Sequence, residues 1–157
     1  MTPLFNKLNL KGQKEIVVLN APGSFERELN ALDGVTVHRD ASALERVEFA
    51  LAFVITNAQL AAAAEAILPM AQGDAVVWFA YPKGTSKRYK CEFNRDTGWA
   101  PMGAAGFEGV RMVAIDEDWS ALRFRRVEHI KSLKRDASRA ATEQGKARVA
   151  KKDGDAR

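Results

Sequence analysis

Cysteine is nearly absent from this 157-residue sequence, with Cys91 the single example. One thiol excludes an intramolecular disulfide, and with it the stapled scaffolds of small secreted proteins. Histidine is almost as scarce. His38 and His129 stand far apart, with no Cys/His cluster near either, so no metal site is expected. No run approaches the roughly 18 apolar residues a membrane span needs, so no membrane contact is expected. The segment Met1-Thr2-Pro3-Leu4-Phe5-Asn6-Lys7 lacks the charged start, apolar stretch and small-residue cleavage site of a signal peptide. A cytoplasmic location is the default expectation.

Apolar residues are not scarce. At 46% hydrophobic and 28% charged, the chain has the balance of a globular domain that folds without staples or metal. The net charge of +4 is unevenly held. Residues 131–157 carry nine Lys/Arg and four Asp/Glu; the preceding 130 carry 15 and 16. The body is electrically balanced and the excess positive charge lies at the C-terminal end. That end has no aromatic residue and too few large apolar ones to repay ordering. Two units follow: an α/β domain over 1–130 and a basic tail over 131–157, frayed helix at first and disordered at its end. The tail reads as solubilising, or as an arm for nucleic acid or an acidic partner.

The body alternates strand and helix signals. Glu15-Ile16-Val17-Val18-Leu19-Asn20 is a short apolar run of the kind covered on both faces of a sheet. After Ala21-Pro22-Gly23, Ser24 is placed to cap a helix reaching Leu32, whose apolar face is Phe25, Leu29 and Leu32. Val35–His38 reads as a half-buried strand and residues 41–47 as a short helix or turn. Phe49–Thr56 is a long apolar strand. Asn57 is expected to cap a helix over 58–71 that Pro69 bends or ends. Ala75–Tyr81 is a central strand, 82–87 a loop, and 97–105 a short helix stopped by Gly106. Residues 110–115 and 119–127 are strands joined by Asp116-Glu117-Asp118, a link so short that the pair must be antiparallel. The expected fold is a single-domain, Rossmann-like α/β sandwich of three layers. Its sheet has about six mostly parallel strands and a C-terminal antiparallel hairpin.

Three segments together resemble an uncharacterised bacterial family of small α/β proteins. They are the Asn20-Ala21-Pro22-Gly23 strand end, Trp78-Phe79-Ala80-Tyr81-Pro82-Lys83, and Ala114-Ile115-Asp116 with Trp119 to Arg125. The resemblance spans roughly residues 8–126 and implies no established activity. The layout also resembles a shortened S-adenosylmethionine-dependent methyltransferase sheet. It shares a strand ending at a small-residue loop, the strand through Ala50–Thr56, and a terminal hairpin. That resemblance implies S-adenosylmethionine as cofactor, with Asp40 as the acidic residue on its ribose. The sequence departs from it twice. Gly23 stands alone where such enzymes present several glycines, and one strand–helix unit is missing.

In open parallel sheets ligands bind beyond the carboxyl ends of the strands. Asn20, Gly23, Ser24, Asp40 and Lys83 all fall at such ends and form the candidate site for a small anionic or nucleotide-like ligand. Gly23 and Ser24 would also offer backbone N–H groups at a helix start, or serve only as turn and cap. Lys83, Lys87, Arg88 and Lys90 interleave with Tyr81 and Tyr89. This pattern suits phosphates or stacked bases, and equally a solvated loop. Lys87, Arg88 and Lys90 are the candidate nucleic-acid contacts. The order of residues 82–87 is not that of a Walker loop. Arg123 and Arg125 share a strand face with Trp119, Arg126 taking the other, and suit an anion or the protection of a sheet edge. His38 and Asp40 lack a nearby nucleophile, Cys91 lacks a histidine, and Asp116–Asp118 read as a solvated turn. No residue is assigned a catalytic role. Ligand binding without demonstrable catalysis is the leading expectation; a reduced methyltransferase-like enzyme and a nucleic-acid or protein interaction module are the alternatives. Oligomeric state is left open.

Overall fold

The structure is a computed structural model that describes residues 3–93 and 98–130. The tail expected over 131–157 lies outside the described residues, as does Thr97 at the start of the expected fourth helix. The elements in chain order are α1 (Pro3–Lys7), β1 (Glu15–Leu19), α2 (Glu26–Asn30), β2 (Thr36–His38), β3 (Phe49–Phe53), α3 (Asn57–Ile67), β4 (Val76–Pro82), α4 (Ala100–Ala104), β5 (Phe107–Ala114) and β6 (Trp119–Arg126). Single 3₁₀ turns lie at Gly23–Phe25, Ala41–Ala43, Leu68–Met70 and Val127–His129. The strands form one six-stranded sheet in the order β2-β1-β3-β4-β6-β5. The first four are parallel, and β6 enters antiparallel between β4 and β5. The expected Rossmann-like α/β fold with a terminal hairpin is what the chain adopts.

The centre of the sheet explains itself from composition. Every residue of β3 and β4 is buried, because helices or loops cover both faces and leave no side for polar alternation. Residues of one face (Val17, Ala52, Val77, Phe79 and Tyr81) pack with α3 and with Trp99 and Met102 of the α4 region. Their strand neighbours (Ile16, Val18, Leu51, Phe53, Trp78 and Ala80) pack with Phe5, Leu8 and Phe25. Trp78 lies fully buried on this second face and donates its indole N–H to the Leu8 carbonyl at 2.7 Å, tying the N-terminal segment to the central strand.

Local signals were overruled in three places. Ser24 caps no helix: a 3₁₀ turn at Gly23–Phe25 comes first, closed by Phe25 N–H to the Pro22 carbonyl, and α2 runs only five residues. Phe25, Leu29 and Leu32 nevertheless face the core as their spacing requires. Thr56, not Asn57, caps α3, in a reciprocal capping box with Gln59. β5 starts at Phe107, earlier than the apolar pattern suggests. There Phe107, Glu108 and Gly109 are buried, and the pairing is interrupted by a bulge between Gly109 and Arg111. Among the described residues no helix is long and apolar enough to cross a membrane.

Candidate functional site

The carboxyl ends of β1–β4 lie along one edge of the sheet, joined there by the amino end of the antiparallel β6, since Trp119 pairs with Pro82. Strand order reverses between β1 and β3, which neighbour each other although β2 separates them in sequence. Asn20 terminates β1 with a positive φ of 58°, a conformation that asparagine tolerates better than most residues. This turn sends its side-chain amide across to the Phe53 carbonyl of β3 at 3.2 Å. The crevice at the switch point is therefore bridged by Asn20 itself. Phe25, Phe53, Trp119 and Tyr89 pack in sequence, tilted or edge-on to one another, with ring centroids 4.8 to 5.0 Å apart.

After β4 the chain does not leave the edge. It doubles back as a strap over residues 83–93, held at both ends. Lys83 N–H bonds the Asp118 carbonyl at 2.8 Å, and Glu92 N–H bonds the Ile55 carbonyl at 3.0 Å. The Glu92 carboxylate accepts the N–H of Asn57 at 2.8 Å, so the positive end of α3 is met by the protein's own anion. In the middle, Ser86 accepts from the amides of Arg88 and Tyr89 and donates to the Asp118 carboxylate at 2.9 Å. Asp118 is thus an anchor, with its side chain 19% exposed and not fully solvated as a turn carboxylate would be. Asp116 likewise accepts from the amides of Asp118 and Trp119 and shapes the hairpin turn.

The strap encloses an open groove of about 640 Å³ lined by residues 81–84 and 86–93. Lys83, Lys87, Arg88 and Lys90 all line it. Arg88 lies 3.8 Å from Asp118, a long contact for so exposed a guanidinium, and Glu92 is committed to α3. The groove is therefore cationic, with Tyr81, Tyr89 and Phe93 as flat walls. Cys91 lies in the wall half-buried, and burial pushes its thiol pKa up. This leaves the sulfur a poorer nucleophile at neutral pH. Trp119, behind Tyr89, buries its indole N–H without a hydrogen-bond partner.

The predicted site residues fall into two groups. Lys83, Lys87, Arg88 and Lys90 come together in the groove. Asn20, Gly23, Ser24 and Asp40 lie along the β1 and β2 ends and do not line it. Asp40 is exposed, and the Ser42 amide bonded to its carboxylate lowers its pKa. Its neighbour Arg39 is paired with Glu26 at 2.8 Å. His38 approaches Glu15 at 3.2 Å, away from Asp40's partner, so the two make no acid–base pair. With five residues, α2 supplies no helix dipole of consequence at Gly23 and Ser24. A side chain at Gly23 would meet nothing within 4 Å, so the space over this turn is open. Measured against S-adenosylmethionine, Asp40 and the open Gly23 turn fit. Asn20 across the crevice and the proline in place of a second glycine do not. Among the described residues no cluster of His, Cys, Asp and Glu could hold a metal. Sequence reasoning missed Asp118, Glu92 and Trp119, whose roles arise from segments far apart in the chain.

No protein-family model matches the chain, and no curated protein matches it in sequence. Among solved structures, a protein of the NADB-Rossmann superfamily from Streptococcus agalactiae is 11% identical, with a TM-score of 0.48 over 85% of this chain and 71% of its own. The N-methyltransferase NodS from Bradyrhizobium japonicum is 16% identical, with a TM-score of 0.43 over 72% of this chain and 74% of its own. LepI in complex with SAM is 12% identical, with a TM-score of 0.49 over 78% of this chain; the match spans only 39% of LepI. These are likenesses of fold.

Proposed function

We propose that this protein binds a small phosphate-bearing, nucleotide-like anion in the strap groove at the carboxyl edge of its sheet. The observation that carries the reading is the gathering of Lys83, Lys87, Arg88 and Lys90 around one groove in a body whose overall charge is balanced. Ammonium and guanidinium groups are the donors an anion needs, with Arg88 held only by a long 3.8 Å contact to Asp118, and charge-assisted bonds are the strong ones. Tyr89, packed at a tilt against Trp119, gives a base or other flat ring a surface beside those cations. The edge is also where open α/β sheets bind ligands in general.

A second reading is a reduced methyltransferase-like enzyme that takes S-adenosylmethionine at the β1 and β2 ends. Asp40 two residues beyond β2 and the unfilled space over Gly23 favour it. The two readings place their ligands on different residues, so one experiment separates them. Calorimetric titration of the intact chain with ATP, NADP and S-adenosylhomocysteine is run alongside Lys83→Gln/Lys87→Gln and Gly23→Val/Asp40→Ala variants. Nucleotide binding lost only in the lysine variant supports the groove. S-adenosylhomocysteine binding lost only in the Gly23/Asp40 variant supports the enzyme. No binding of any compound refutes both. Nucleic acid as the true occupant of Lys87, Arg88 and Lys90 would reveal itself through oligonucleotide affinity that falls steeply with salt.

A further inference from the structure

We propose that Arg111 and Arg123 form a second anion site, for a phosphate oxyanion, on the β5–β6 hairpin at the far end of β4 from the groove. Arg123 pairs across the sheet with Trp78, near the start of β4, whereas the groove begins at Tyr81 and Pro82, at its end. The two arginines are brought together by the bulge. Gly109 stands opposite Phe124, so regular pairing would set Val110 opposite Arg123. The extra residue puts Arg111 there instead. A bulge that re-aims one side chain at another is a built feature of a strand, and here it sets two like charges directly opposite each other. Opposed like charges on a sheet destabilise it unless something lies between them.

The one counter-charge felt by Arg123 among the described residues is Asp74, which does not bond it. Asp74 is taken by the neighbouring Arg125, which holds both its carboxylate oxygens in a fork at 2.9 and 2.6 Å. Arg126 points to the opposite face, where it donates to the carbonyls of Ala71 and Leu68 and lies over the Phe107 ring. Among the described residues neither Arg111 nor Arg123 has a carboxylate partner. Arg123 is half-buried, and its Nε is fully covered yet makes no hydrogen bond. Burial first, and then the fields of Arg125 and Arg111, press against its charge and outweigh the favourable field of Asp74. A tetrahedral dianion between the two guanidinium groups answers each of these observations: it accepts the orphan Nε–H, it separates the like charges, and it matches the planar fork of arginine. Edge protection alone accounts for an exposed arginine on β5 but not for a half-buried one without a partner on β6.

The test follows the arginine Nε–H signals of the intact, nitrogen-15-labelled chain by NMR. Inorganic phosphate is added against chloride at constant ionic strength. The expected result is a saturable shift of the Arg123 Nε–H signal, with affinity about tenfold weaker in Arg111→Gln, whose side chain is exposed and unimportant to packing. Lys83→Gln/Lys87→Gln should leave the shift unchanged, which separates this site from the groove. An unmoved Arg123 signal, a shift that never saturates, or an identical titration in Arg111→Gln would overturn the proposal.

Discussion

Removing the carboxylate of Asp118 should loosen the strap while leaving the sheet intact. Its Oδ1 accepts the Ser86 hydroxyl at 2.9 Å, and Ser86 in turn holds the amides of Arg88 and Tyr89. A hydrogen bond to a charged acceptor in a largely covered position is worth about 1.5–3 kcal/mol. The Arg88 contact, at 3.8 Å and with the guanidinium 68% exposed, adds little to that. Asp118→Ala should therefore cost about 2 kcal/mol, or roughly 8 °C in Tm for a domain of this size. Scanning calorimetry measures the loss, and amide exchange at Tyr89 should rise well ahead of exchange in β3 and β4. Ser86→Ala should cost at least as much, because it removes the donor to Asp118 and also the acceptor of the Arg88 and Tyr89 amides. The double variant should cost less than the sum of the two, since the Ser86–Asp118 bond is already lost in each single variant. Costs that add, or an Asp118→Ala loss below about 0.5 kcal/mol, would refute the assignment of Asp118 as anchor.

Phe53→Ala empties the centre of the aromatic cluster between Phe25 and Trp119, and should lower stability by about 3–5 kcal/mol, read from the urea midpoint. Thr56→Ala breaks the capping box of α3 and should cost about 1 kcal/mol, whereas Asn57→Ala should be nearly neutral at the cap. The Arg125 fork holds the Asp74 carboxyl below its ordinary pKa. A depressed folded value means that the stability it adds is fully present above the ordinary value and is lost as pH falls through the folded one. With Asp74 41% exposed, that amount stays under about 1 kcal/mol. Asp74→Asn should flatten the acid limb of urea midpoints measured between about pH 2 and 6 and leave neutral stability slightly lower. Cys91, its thiol pKa raised by burial, should react with a disulfide reagent at pH 8 more slowly than a free thiol does, timed by absorbance.

Most of the architecture was legible because its causes are local in sequence. Continuous apolar runs at Glu15–Leu19, Phe49–Phe53 and Val76–Pro82 admit only strands covered on both faces. The three acidic residues between β5 and β6 are too short a link for anything but a hairpin. Gly106 stops its segment with a positive φ, as its position suggests. The cap assignments failed by a residue or a turn, since a 3₁₀ turn at Gly23–Phe25 competes for the same backbone groups and is closed by a carbonyl that sequence alone does not single out. The site was half legible. Four cations within eight residues mark the segment, but the same signal describes a solvated loop, and only the fold shows that the segment turns back over the sheet edge and lines a groove.

What the sequence determined by itself is the class of fold, the parallel strands, the hairpin and the identity of the cationic segment, each a consequence of spacing and side-chain chemistry along the chain. The tertiary structure alone decided strand order, and with it which distant residues meet. Inserting β6 between β4 and β5 puts Trp119 behind Tyr89 and Asp118 under Ser86, and the bulge at Val110 faces Arg111 with Arg123. Such meetings depend on how crossovers and hairpins are packed to bury two faces of one sheet at once. That is a property of the whole core, and no stretch of residues encodes it separately.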